Sequence, residues 1–278
     1  MDRGPDLLRP YVAIVSARFR MLLQYRAAAL AGLWTQIFFG FVILSIYEAF
    51  YRSSAAEQPM TFRQIASYVW LGQALLAMLP WNADDDVRAM VRTGAVAYEL
   101  CRPIDLYGLW FARAIARRTA PTVLRAVPMC LIASIGLPLL GLDEWRLAPP
   151  PALASAVAFG LALVCTLLLG CALSTLVNIS MLWTIGGEGT VILMTALVTF
   201  LSGMIVPLPL FPDWAQPIVR ALPFAGLVDL PFRLFTGHIG PGEVPGVLLH
   251  QLAWTLALVI LGRSLLSRGL KRIVVQGG

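Results

Sequence analysis

The chain has little charge. Of its 278 residues only 13% are Asp, Glu, Lys or Arg, while 59% are hydrophobic. A soluble domain carries about 25% charged and ~45–50% apolar residues. At this length so few charges leave too little polar surface to coat a globule in water, so a bilayer must solvate much of the chain. Lysine is nearly missing: Lys271 stands alone beside twenty arginines in a chain of formal charge +6. Those arginines flank apolar segments, which suits lipid headgroups and membrane topology and argues against a nucleic-acid partner.

Reactive chemistry is equally sparse. Cys101, Cys130, Cys165 and Cys171 are the only cysteines, the last three in apolar stretches and none near His238 or His250 at ligand spacing. They read as inert thiols, and no metal site is expected. No G-x-x-x-x-G-K-S/T phosphate loop occurs, nor a G-x-S-x-G elbow, an H-E-x-x-H pair or a G-x-G-x-x-G after a strand. No catalytic residue and no cofactor of the chain's own is therefore expected. Ion-coupled carriers place several ionisable groups inside their spans. Here only Arg125 and Glu188 come close, and His250 is the lone histidine in a span. That weakens an ion-coupled carrier acting alone and points to an outside energy source.

What is present is long apolar runs. A stretch of about 17–25 uncharged residues crosses the hydrocarbon core as a helix. Six such spans are predicted: Ala27–Tyr47, Gln64–Ala83, Ala126–Leu142, Ala152–Val177, Thr190–Ile205 and Val244–Gly262. The runs do not alternate apolar and polar residues, which excludes a membrane barrel. The expected fold is all-α, a single polytopic domain over residues 1–278. The run after Arg26 is too long for the core of a secretory signal and is expected to stay as the first span. With the N-terminus in the cytoplasm, inside segments hold fifteen basic residues and outside segments five, leaving aside Arg125 at a span margin. This bias puts both termini in the cytoplasm.

Three segments are not spans. Within residues 1–26, Leu8, Tyr11, Val12, Val15, Phe19 and Leu22 recur at helical steps among arginines, as in an interfacial amphipathic helix. Residues 84–118 open with Asp84-Asp85-Asp86, which suit a helix N-terminus; Val87, Met90 and Val91 form a stripe, Thr93-Gly94 breaks it, and a second short helix runs from Val96 to Cys101. This helix pair reads equally as a surface element packed on its own bundle or as a docking knob for a soluble partner. Residues 203–243 carry seven prolines yet stay apolar, so short broken helices dipping into the outer leaflet or capping the bundle are expected. Pro207, Pro212 and Trp214 are candidate gate residues. Polar residues in the spans are few; Gln36 and Gln73 are candidates for a pathway suited to amphiphilic or hydrophobic cargo. Gly170 and Ser174 form a small pair that permits close approach.

The stretches YVAIVSARFRMLLQYRAAALAGL (11–33), VRTGAVAYELCRPIDLYGLWFAR (91–113) and LSGMIVPLPLFPDWAQPIVRALPFAGLVDLPFRLFTGHIG (201–240), with the tail ending VVQGG, resemble the type-2 ABC exporter permeases, in the branch described as ABC-2 family transporter proteins. The resemblance implies six spans, an N-terminal connecting helix, short external helices before the last span, and a coupling helix within Asp84–Arg102. It also implies two copies of a separate ATPase that binds ATP and Mg, a second permease, identical or homologous, and a place in the bacterial cytoplasmic membrane. By position Arg88, Val91 and Arg92 are the first candidates for ATPase contact, then Gly94, Tyr98 and Arg102. Val91 would act by apolar insertion and the arginines by charge pairing. The expected role is export of a drug, toxic cation or lipid-like molecule, the alternatives being an ion-coupled carrier and a membrane scaffold or insertase-like protein.

Overall fold

The computed structural model describes residues 8–54, 57–184 and 187–271. Arg3, Arg272 and the closing Val274–Gly278 lie outside the described residues. Those described are helical, with turns and extended linkers and no strand. α1 (Arg9–Leu22) lies along α6 (Leu106–Leu131), and α2 (Arg26–Ser53) follows after a short turn. Four helices are long and apolar enough to cross a membrane: Arg26–Ser53, Leu106–Leu139, Leu153–Ser180 and Pro241–Leu270. The two remaining predicted spans are shorter as helices.

The first of these is α3 (Phe62–Ala74), 13 residues long and buried at every position from Ile65 to Ala74. A helix apolar all round belongs in the centre of a bundle, and α3 packs against α2 and α6. A capping box fixes its start, with the Thr61 hydroxyl taking the Gln64 N–H and the Gln64 side chain taking the Thr61 N–H. Trp70, fully buried, donates to the Trp145 carbonyl at 2.6 Å and meets Phe41 edge-on. After a 3-10 turn at Leu76–Met78 the chain runs extended through Pro80 to Asp84, so the predicted span Gln64–Ala83 is helical only over its first part. Pro80 has no N–H to continue the helix.

The third span departs most from expectation. Its helix begins at Leu106, twenty residues before the predicted start at Ala126, and therefore includes Arg113, Arg117, Arg118 and Arg125. Charge ends an apolar run in the sequence but does not end a helix whose other faces pack. Near its far end the helix widens to a π turn (Ile132–Gly136) before α7 (Leu137–Leu139). Pro138 has no N–H to offer the Ala133 carbonyl in that register, and the carbonyl instead accepts from Leu147 N at 3.0 Å.

α8 (Leu153–Ser180) packs along α12 (Val244–Leu270), and α9 (Glu188–Leu201) lies outside them with only Met194 and Val198 buried. α9 ends four residues short of the predicted Ile205. Between α9 and α12 come α10 (Gln216–Ala221), α11 (Asp229–Phe235) and 3-10 turns at Leu208–Leu210, Pro223–Leu227 and Pro241–Glu243. This is the broken, proline-punctuated segment that the sequence implies. Outward apolar stripes remain, such as Trp34, Phe38 and Ile46 on α2 and Leu249, Leu252, Leu256 and Ile260 on α12. Surfaces of that kind belong against lipid or another membrane protein.

Candidate functional site

At the arginine-rich end, α4 (Asp85–Thr93) and α5 (Val96–Leu100) form a compact pair. Asp84 caps α4 by accepting the Asp86 N–H at 3.0 Å, and Asp85 and Asp86 occupy the first turn while Arg92 sits in the last. Both ends thus match the helix dipole. Gly94 ends α4 in the left-handed region at φ 74°, where glycine carries no Cβ penalty. Val87 and Val96 are buried against Leu106 and Trp110 of α6, which fixes one face of the pair.

A network of charges fixes the rest. Arg113 of α6 is 7% exposed. Its guanidinium lies 3.0 Å from Glu99, 3.2 Å from Asp86 and 3.4 Å from Asp84. Glu99 also accepts from Trp110 Nε1 at 3.0 Å. Arg18 of α1 pairs with Asp84 at 3.5 Å and donates to Asp86, and Arg117 stands 3.6 Å from Asp84. The Asp84 N–H donates to the Asn178 amide oxygen of α8 at 2.9 Å. The Arg18 hydrogen bond, aided by Arg113 and Arg117, holds the Asp86 carboxyl below its ordinary pKa against the opposing effect of partial burial. Removing one partner of a buried pair costs about 3–5 kcal/mol, because the other charge is left without compensation. The α4–α5 pair is therefore bolted to α1, α6 and α8 rather than carried on a loose loop.

The sequence-nominated contact residues divide by exposure. Tyr98 is 78% exposed, and Leu100, Arg92 and Arg102 are also exposed. Arg88 is half-buried and stands 3.6 Å from Asp85. Val91 is half-buried and packs against the chain's own core. Gly94 shapes the turn between the two helices. Arg92, Tyr98 and Arg102 thus share the outer surface, while Val91 faces partly inward.

Of the nominated pathway and gate residues, Gln36 and Gln73 lie on the packed helices α2 and α3, and Pro207, Pro212 and Trp214 lie on the broken segment before α12. Gln36 is 4% exposed and neither atom of its amide has a partner among the described residues. Gln73 is buried in α3. Pro207 is buried ahead of the Leu208–Leu210 turn, whereas Pro212 and Trp214 lie exposed, Trp214 at 77%. The broken segment is organised by a residue that sequence reasoning missed. Asp229, fully buried, accepts the Leu208 N–H at 2.9 Å and Arg233 at 3.1 Å, with Tyr68 Oη 3.4 Å away. Tyr68 also donates to the Gly203 carbonyl at 2.9 Å. An acid inside an apolar stretch with an arginine four residues on was the available signal.

Arg118 was likewise legible only as a loop charge. It is 5% exposed and donates to the Met78 and Leu79 carbonyls of the extended linker and to Ser174 of α8. A Cβ at Gly170 would come within 3.3 Å of the Met78 carbonyl oxygen. The Gly170–Ser174 pair thus admits a broken backbone and an arginine, where helix-on-helix contact was expected. Among the described residues no group of three or more His, Cys, Asp or Glu is arranged to hold a metal ion.

A family model described as ABC-2 family transporter protein matches residues 38–277, most of the chain. No curated protein and no solved structure gives a match.

Proposed function

The chain belongs to the ABC-2 family of transporter proteins, and from that premise we infer that it is the membrane-spanning permease subunit of an ATP-driven exporter. The observation that carries this reading is the α4–α5 pair, anchored by buried ion pairs yet offering Arg92, Tyr98, Leu100 and Arg102 outward. In this reading the arginine-rich end faces the cytoplasm, together with both termini. The chain lies in the bacterial cytoplasmic membrane. α3 and α9 are each about 20 Å long at ~1.5 Å per residue, less than the ~30 Å hydrocarbon core. Their broken continuations complete two further crossings, six in all, with irregular backbone buried in protein.

A separate ABC ATPase, in two copies, binds ATP and Mg and docks on α4–α5, while a second permease, identical or homologous, completes the pathway. Closure of the ATPase pair pushes on α4–α5. The ion network passes that displacement to α1, α6 and α8 as rigid-body movement, because packed elements shift between discrete arrangements rather than deform. The segment over residues 203–243 closes the far end. The cargo is a small amphiphilic or hydrophobic compound.

The test is Tyr98→Asp in the chain reconstituted with its ATPase. A charge placed in a docking patch is expected to lower coupled transport by about tenfold or more, with membrane insertion unchanged. Val91→Asp is expected to weaken folding as well, since the half-buried Val91 packs against the core. Normal transport by Tyr98→Asp would sink the docking assignment. Transport by the purified chain under an ion gradient alone would replace it with an ion-coupled carrier.

A further inference from the structure

A cavity of about 660 Å³ opens between the end of α1, the extended linker after α3, and α6. Its wall carries four arginines, Arg18, Arg117, Arg118 and Arg125, and no acidic residue. Leu22, Leu76, Leu79, Trp81 and Pro121 supply an apolar side. The four guanidinium groups are not equivalent. Arg18 and Arg117 turn toward Asp84, Asp85 and Asp86. Arg118 is held by two carbonyls and a hydroxyl, which satisfy its N–H groups but leave its charge uncompensated. Arg125 has neither an acid nor a hydrogen-bond acceptor among the described residues, and its Nε is buried.

Arg125 is also seated by design of the backbone. A Cβ at Gly32 of α2 would lie 2.6 Å from Arg125 Cζ, so the guanidinium rests directly against the bare backbone of α2. Arg125 is half-buried, with its charge uncompensated at the cavity wall, which favours an anion there. The lining excludes a cation by repulsion and offers planar, charge-assisted donors to an anion. Its depth matters as well. The helix Leu106–Leu139 has 34 residues, about 51 Å at ~1.5 Å per residue, against a ~30 Å hydrocarbon core. Arg125 stands about 21 Å from Leu139 along that helix, so the cavity, which opens beside Arg18 and Arg117, reaches from the arginine-rich end into the span.

We propose that this cavity binds the anionic headgroup of an amphiphile, a phosphate or similar group carried on an apolar tail, with Arg125 as its principal ligand. The headgroup sits between Arg125 and Arg118, and the tail leaves along Leu22, Leu76 and Trp81. The same chemistry comes from two sources, a phospholipid of the surrounding leaflet or an anionic amphiphile to be exported. The proposal uses the chain's membrane setting and sharpens the cargo class; it does not depend on the ATPase.

The experiment uses the purified full chain in vesicles of phosphatidylcholine, reading quenching of Trp81 as the difference from a Trp81→Phe variant. Brominated phosphatidylglycerol is expected to quench more strongly than brominated phosphatidylcholine. Arg125→Gln is expected to weaken the anionic lipid's apparent affinity by about tenfold, and Arg125→Lys to keep most of it. Dodecyl phosphate added from solution separates the sources. Displacement of the lipid shows a site open to free amphiphiles, and failure to displace shows one kept for bilayer lipid; both support an anionic site provided that Arg125→Gln weakens binding. Equal quenching by the two lipids, or unchanged affinity in a folded Arg125→Gln chain, overturns the proposal. ATP-coupled transport can persist in either case, so failure here is distinguishable from failure of the permease reading.

Discussion

Arg118 shows how a single side chain holds a broken element in place. Past Pro80 the linker is not helical; the Arg118 guanidinium takes the Met78 carbonyl and also the Leu79 carbonyl, which accepts from Trp81 N at 2.9 Å as well. Arg118→Met keeps the volume and removes every donor. We expect it to destabilise the folded chain by about 1–3 kcal/mol, the cost of leaving the buried Met78 carbonyl without a partner. Thermal unfolding in detergent is the measurement, and an unchanged midpoint would mean that the linker finds other donors. Nothing around Arg118 in the sequence marks it as different from Arg117. On the helix the two point in different directions, one to the acids and the other to the backbone of a segment forty residues earlier.

Among elements, the α4–α5 pair was the most legible. Three acids ahead of a stripe, a Thr-Gly break and a second short run predict α4, its cap and α5 to within a residue or two, because caps and left-handed stops are local chemistry. The partners of those acids were not legible, since Arg18 and Arg113 reach Asp86 from 68 and 27 residues away. Gly94 tests the element itself. A Cβ there meets nothing within 4 Å, so Gly94→Ala carries only the backbone cost of a positive φ, about 1 kcal/mol. The expected result is a small drop in unfolding temperature together with faster amide exchange in α4 and α5 and little change elsewhere. Loss of folding would mean that the turn supports far more than its own conformation. Gln36 and Gln73, in contrast, were chosen for polarity in apolar runs. Both are buried among helices, and the Gln36 amide has no partner among the described residues.

At the scale of the molecule, one native thiol reports orientation. Cys101 is exposed beyond α5, whereas Cys165 and Cys171 are buried and Cys130 is half-buried. A membrane-impermeant maleimide is expected to label Cys101 in inverted vesicles but not in intact cells, and a docked ATPase is expected to protect it. Labelling from the outside of intact cells would reverse the topology and with it the assignment of the arginine-rich end.

The sequence by itself determined the solvent, the helical class, the family and most helix starts, because these follow from composition, run length and capping within a few residues. It did not determine where α6 begins or how α3 ends. Charge marks the edge of an apolar run, yet a helix continues wherever its charged side chains find acids, carbonyls or a cavity. Those partners come from α1, the post-α3 linker and α8, and only packing brings them together. The tertiary structure therefore decided which arginines are paired, which serve the backbone, and that Arg125, on the cavity wall, has neither an acid nor an acceptor among the described residues.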